Sequence, residues 1–315
     1  MTFIHDKNIV ITGGAGFIGS NLAEALATDN NVTIIDDLST GRLTNIQPLL
    51  THYPIRFVQG SILDLPALTT LFNKANYIFH EAAIPSVPRS IRDPVASNLA
   101  NVTGTLNVLV AARDNQVDKV IYASSSSVYG DTPTLPKHEA MTPMPLSPYA
   151  VSKLTGEHYC KVFNTVYGLP TVSLRYFNVF GPHQDPKSEY AAVIPKFLSS
   201  ALADQSPLIY GDGEQTRDFT YVTDVVNANI LAASSPATGI YNIAGGNRIS
   251  INTLASTILA LSESTRDVTH AAPRSGDIKH SLADITKARK EIGYEPQSTI
   301  EKGLKETITW FQKQT

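Results

Sequence analysis

The stretch that most restricts the fold is Gly13-Gly14-Ala15-Gly16-Phe17-Ile18-Gly19. Glycines 14, 16 and 19 fit G-x-G-x-x-G, and glycines 13, 16 and 19 fit G-x-x-G-x-x-G. Glycine at these spacings permits a tight turn, a close approach of backbone to a pyrophosphate, and close packing of helix on strand. Its context matters more than the motif. The apolar run Asn8–Thr12 precedes it, and a helical pattern through Leu22, Ala23, Leu26 and Ala27 follows. A second apolar run, Val32–Ile35, ends at Asp36 about 20 residues on. The helix N-terminus then faces phosphate with unpaired N–H groups and a positive dipole end. Asp36 has the carboxylate to accept bonds from both ribose hydroxyls. It would repel a 2′-phosphate, and Asp37 adds to that repulsion, so the pattern reads as NAD rather than NADP.

Further strand candidates are Phe57-Val58, Tyr77–Phe79, Val120–Ala123 and Thr171–Leu174. Helical segments at Asn98–Arg113 and Pro148–Tyr167 separate several of them. Strands alternating with helices call for a parallel sheet covered on both faces. Beyond Tyr176 the pattern loosens into a helix at Ala191–Leu202, a turn at Gly211-Asp212-Gly213, a helix at Thr223–Ala233 and a strand at Ile240–Ala244. Amphipathic helices are expected between Ile285 and Phe311. A nucleotide-binding core over 1–177, returning at about 221–246, is expected to carry a smaller lobe made of 178–220 and 247–315.

Composition narrows the class. The 315 residues are 42% hydrophobic and 17% charged, as in ordered globular proteins. A net charge of −3 without a basic run argues against a nucleic-acid surface. One cysteine, Cys160, forms neither an internal disulfide nor a zinc cluster and fits a reducing compartment. With no signal peptide pattern and no apolar run near the ~18 residues of a membrane span, a cytoplasmic protein with no membrane or metal site is expected.

The chemistry is expected at Tyr149-Ala150-Val151-Ser152-Lys153. Residues four apart on a helix share a face. An ammonium beside a phenol lowers its pKa, so Tyr149 becomes a base able to take a proton from a sugar hydroxyl.

In this order, the Gly motif, His80-Glu81-Ala82-Ala83, Ser124-Ser125-Ser126, Tyr149-x-x-x-Lys153 and Arg175-Tyr176-Phe177-Asn178 resemble the extended short-chain dehydrogenase/reductase family. Within it, Ser86–Ser90, Ser147–Lys153, Arg175–Gly181, Gln184-Asp185-Pro186, Tyr190–Lys196, Gly211–Phe219 and Gly276–Ile285 look like the nucleotide-sugar 4-epimerases. They look most like the branch acting on UDP-N-acetylglucosamine and UDP-N-acetylgalactosamine. The resemblance implies a Rossmann-type doubly wound parallel sheet, α/β, with a smaller C-terminal α/β substrate lobe.

It also implies roles. Ser125 would bond the sugar O4 beside Tyr149, with Ser124 and Ser126 as alternatives in register. NAD would lie against Gly13, Gly16, Phe17, Ile18, Gly19, Asp36, Ser61, Ile62, Ala82, Ala83, Tyr149, Lys153 and Tyr176, with Phe177 near the nicotinamide. The UDP-sugar would be held by Ser126, Asn178, Gln184, Ala192, Val193, Arg217, Arg274, Asp277 and Ser281. A homodimer packed through Asn98–Arg113 and Pro148–Tyr167 is implied as well. Two positions depart from the pattern: Ser61 stands where an acidic residue often contacts adenine, and Pro85 where the nearest branch has glycine.

Rival readings share the scaffold. One is a 4,6-dehydratase or a decarboxylase; the dehydratase needs an Asp-Glu pair where this chain has Ser125-Ser126-Ser127-Val128. An epimerase restricted to UDP-glucose and UDP-galactose, or one acting on a UDP-uronic acid, differs only in the sugar. A non-catalytic NAD-sensing protein usually loses Tyr or Lys, and both are kept here.

Overall fold

Short runs of Ile and Val with no polar interruption form strands when both faces are covered. Asn8–Thr12 does so and buries four of its five residues. A computed structural model describes residues 4–185, 192–273 and 279–313. The first layer is built from β1 (Asn8–Thr12), α1 (Phe17–Leu26), β2 (Asn31–Asp36), α2 (Leu43–His52), β3 (Arg56–Gln59), α3 (Leu65–Leu71) and β4 (Tyr77–His80). It continues through α4 (Val87–Arg92), α5 (Pro94–Asn98), a π-helical turn at Leu99–Thr103, α6 (Gly104–Asp114), β5 (Lys119–Ser125), α7 (Pro148–Tyr167) and β6 (Thr171–Tyr176). The remainder holds β7 (Val179–Phe180), α8 (Val193–Leu202), β8 (Leu208–Tyr210), β9 (Thr216–Asp218), β10 (Thr220–Tyr221), α9 (Val222–Ser234) and β11 (Gly239–Ile243). It ends with β12 (Arg248–Ser250), α10 (Ile251–Leu261), β13 (Thr269–Ala271), α11 (Thr286–Ile292) and α12 (Ile300–Gln312).

Seven strands form one sheet in the order β11-β6-β5-β4-β1-β2-β3, and every pairing is parallel. The period-2 alternation of side chains splits the core between its faces. Ile9 and Ile11 pack with α1, α2 and α9, while Val10 packs with α3, α6 and α7. A third cluster, from α8, α10 and α12, is the core of the smaller lobe. The chain leaves β1 toward β2 and β3, then returns to β4 on the other side of β1. The strand ends diverge there and open a cleft.

The helix expected at Asn98–Arg113 begins earlier, at Pro94, and contains the π-helical turn. The continuous helix Pro94–Asp114 is long and apolar enough to cross a membrane by length and composition, contrary to the sequence expectation. Here its apolar residues Val108, Leu109, Ala111 and Ala112 are buried with α3 and α7. The two- and three-residue pairings β10–β7, β12–β9 and β13–β8 went unforeseen. They carry too few residues to show a period.

Candidate active site

The glycine turn forms one wall of the β1–β4 opening. Gly13 has φ +70°, and a Cβ there would lie 2.6 Å from the Ala82 nitrogen. A Cβ at Gly19 would lie 2.3 Å from the Gly13 oxygen. Gly14 instead packs on Ile34, which accounts for the fourth glycine. Gly16 caps α1 without a side-chain bond, leaving the first-turn N–H groups free of side-chain partners. The cleft beside it has a volume of about 400 Å³. Its lining includes Gly13, Phe17, Ile18, Gly19, Asp36, Asp37, Ser61, Ile62, Glu81, Ala82, Ala83 and Pro85.

Asp36 ends β2 in this cleft. Its two oxygens each accept one backbone bond, from Leu38 N at 2.8 Å and Ala15 N at 3.0 Å. A carboxylate has about four acceptor positions, so two remain for ribose hydroxyls. Burial pushes its pKa up, and these bonds oppose that rise. A turn preorganised by glycines, an uncapped helix start and an acceptor at the end of the second strand together fit a dinucleotide.

Tyr149 and Lys153 lie in the first turns of α7. Ser147 caps the helix by accepting from Ala150 N, and Pro148 occupies the first turn. Ser90, buried on α4, accepts the Tyr149 N–H at 3.0 Å. The Lys153 ammonium donates to Ala123 O at 2.7 Å and lies 6.0 Å from the centre of the Tyr149 ring. Burial lowers its pKa to about 8. The expected pKa of Tyr149 is reversed here. Burial raises it, a hydrogen bond with Ser125 opposes the rise, and the charge of Glu81 adds to it. In this structure desolvation outweighs Lys153.

The serine register separates by partner. Ser125 meets Tyr149, whereas Ser124 donates to Glu157 Oε1 at 2.5 Å in the core. Ser126 opens a short 3-10 turn at the end of β5. Tyr176 is buried and donates to Glu81 Oε1 at 2.9 Å. Phe177 is fully buried against Tyr129.

A second cavity, of about 290 Å³, opens between β7, α8 and β8. Asn178, Gln184, Ala192, Val193 and Arg217 line it, together with Tyr210 and Phe219. Asn178 donates to Asp218 O at 2.8 Å, while Gln184 Oε1 is buried with no hydrogen-bond partner among the described residues. Ser281 does not line this cavity; its N–H is bonded to Thr216 O at 3.0 Å beside the Arg217 strand. Arg274 and Asp277 lie outside the described residues.

Several groups escaped sequence reasoning. Tyr210 adds a flat aromatic wall beside Arg217. The π-helical Asn101 donates to Ser152 Oγ at 3.0 Å and accepts from Ile84 N at 2.8 Å. It thereby ties the cleft edge to α7. Arg175 closes a two-bond ion pair with Glu157 beneath Ser124. The spacing of β6 marks Arg175 as facing inward, but nothing local names its partner.

The NAD dependent epimerase/dehydratase family matches residues 9–244. A putative UDP-glucose 4-epimerase of Methanocaldococcus jannaschii is 39% identical, over 96% of this chain and 98% of that protein. The UDP-glucose 4-epimerase of Mycolicibacterium smegmatis is 38% identical, over 97% and 99%. Among solved structures, the UDP-N-acetylglucosamine 4-epimerase of Methanobrevibacter ruminantium M1, in complex with UDP-N-acetylmuramic acid, is 46% identical. It covers 99% of this chain and 100% of its own, with a TM-score of 0.96.

Proposed function

The chain belongs to the NAD dependent epimerase/dehydratase family, and on that premise we propose that it interconverts UDP-N-acetylglucosamine and UDP-N-acetylgalactosamine. It is a UDP-sugar 4-epimerase that works with NAD. The observation that carries the site assignment is buried Lys153, whose ammonium lies 6.0 Å from the Tyr149 ring centre and donates to Ala123 O at 2.7 Å.

The chemistry NAD supplies when bound is removal of a hydride from sugar C4 and its return to the other face. The side chains move and hold the proton. Tyr149 takes it from the 4-hydroxyl and gives it back after the sugar has turned. Ser125 holds both oxygens by a shared hydrogen bond. Lys153 lies on the same face of α7 and supplies the positive charge that phenolate formation needs against burial. Asp36 accepts the adenosine ribose hydroxyls, and the glycine turn admits the pyrophosphate.

In the smaller lobe, Arg217 faces the UDP diphosphate with a guanidinium fork. Tyr210 and Phe219 offer flat faces to uracil. The N-acetyl reading is supported by the 46% identity to an enzyme of that name and by the small side chain of Ala192, which lines the second cavity. Gln184 Oε1, which has no partner among the described residues, could accept from the acetamide N–H. Exposed Val95, Leu99, Val151, Val162 and Val166 on α5, the π-helical turn and α7 support a homodimer through these helices.

Tyr149→Phe tests the assignment. Turnover is expected to fall on the order of 10²–10⁴-fold, as for loss of a general acid/base, with UDP-sugar binding little changed. Near-normal turnover would show that another group is the base.

A further inference from the structure

Glu81 is a half-buried carboxylate in the cofactor cleft for which the proton transfer has no use. It follows β4, with its N–H bonded to Thr12 O at 3.1 Å. The neighbouring His80 is turned away toward Thr12 and Thr105. The groups facing Glu81 come from three elements. Tyr176 of β6 donates to it at 2.9 Å. Asn229 of α9 braces Tyr176 by donating to its hydroxyl at 2.8 Å. Lys153 and Tyr149 of α7 feel its charge.

That charge works against the base. An anion beside Tyr149 disfavours the phenolate. It favours the ammonium of Lys153, but Lys153 already has a short bond to Ala123 O. The remaining electrostatic effect of Glu81 falls on any other cation that the cleft holds. An oxidised nicotinamide ring is cationic and a reduced one is neutral.

We propose that Glu81 biases the bound dinucleotide toward its oxidised form, so that the enzyme is left ready for the next sugar. The inference rests on the NAD and Tyr149 assignment above. Tyr176 and Asn229 hold the carboxylate in place, and the apolar neighbours Ala82, Ala83 and Phe17 leave its field weakly screened. Burial pushes the Glu81 pKa up to about 7, so the bias grows as pH rises through neutrality and fades below it as the carboxylate takes a proton.

The test uses the full chain without any sugar, so its outcome is independent of whether the protein epimerises. Wild type and Glu81→Gln are equilibrated at pH 7.5 with fixed mixtures of NAD and NADH. Free nucleotide is removed, and bound nucleotide is released and quantified. Removing one nearby charge at an effective dielectric of about 20 is expected to raise the bound NADH-to-NAD ratio roughly tenfold. That corresponds to about 30 mV for a two-electron couple. Between pH 6 and 7, below the Lys153 pKa of about 8, the wild-type ratio should fall with rising pH as the Glu81 carboxylate ionises, and Glu81→Gln should lose most of that fall. An unchanged ratio in Glu81→Gln would overturn the proposal. If that variant does not fold, the wild-type pH series decides alone: a flat profile overturns the bias, and a fall supports it.

Discussion

Replacing Glu157 by Gln should destabilise the protein far more than a one-atom change suggests. The Glu157 side chain is 1% exposed and its partner Arg175 is 2% exposed. Two bonds join them, Nε to Oε1 at 2.8 Å and Nη2 to Oε2 at 2.7 Å, and Ser124 adds a third at 2.5 Å. The guanidinium also lies over the Tyr129 ring at 4.6 Å. Glutamine keeps the volume but leaves the buried guanidinium without a counter-charge. Breaking a buried pair in this way costs about 3–5 kcal/mol. In a chain of this size that is a fall in melting temperature on the order of 10 °C. Removing both charges, in Glu157→Gln with Arg175→Met, should recover much of the loss, because neither charge is then stranded. The assay is thermal and urea unfolding of wild type, both single variants and the double. Ser124 adjoins Ser125, so kcat should fall severalfold with NAD retention unchanged. A melting-temperature loss under about 2 °C for Glu157→Gln would refute the reasoning, since exposed pairs cost that little. So would a double variant that falls as far as the worse single.

Three further outcomes are expected. Asp36→Ala should purify with less bound NAD and discriminate less against NADP; a wild type that prefers NADP would remove Asp36 from that role. Ala192→Tyr should abolish turnover of UDP-N-acetylglucosamine while sparing UDP-galactose, by filling a cavity wall that the acetamide sweeps past; equal loss with both sugars, or none, would exclude Ala192 from specificity. His80 is 1% exposed, and burial holds its pKa at about 3, below the usual 6.5. Its unfolded form therefore binds the extra proton, and stability should decline as pH falls from about 6.5 toward 3, by at most about 1.4 kcal/mol per pH unit. His80→Gln should flatten that part of the profile measured by urea unfolding.

The glycine turn, Asp36 and the Tyr149–Lys153 pair were legible because each is a short-range pattern. A strand, a turn and a helix within twenty residues leave little freedom in how they assemble. The strands of the large sheet were found within one or two residues of their ends because each holds a short apolar stretch, and most are covered on both faces. The contacts of Glu81, Glu157–Arg175, Ser90 and Asn101 were not legible, although quoted motifs include Glu81, Ser90 and Arg175, because each acts through a partner distant in sequence. Glu81 meets Tyr176 across 95 positions, and Ser90 meets Tyr149 across 59. The direction of the Tyr149 pKa was misjudged for a related reason. Helical spacing places Lys153 on the right face, but it does not report that the phenol is desolvated or that Glu81 stands beside it. In the smaller lobe, β7 to β10 are too short to show a period, so the wall that includes Tyr210 was not visible.

The most direct measurement is incubation of the purified protein with UDP-N-acetylglucosamine alone, with no NAD added, and separation of the products by chromatography. UDP-N-acetylgalactosamine should accumulate to a fixed ratio, reached equally from the other epimer, and Tyr149→Phe should form almost none. Conversion of UDP-glucose and UDP-galactose with no turnover of the acetylated pair would contradict the substrate assignment. No conversion of any UDP-hexose by protein that carries NAD would contradict the account as a whole.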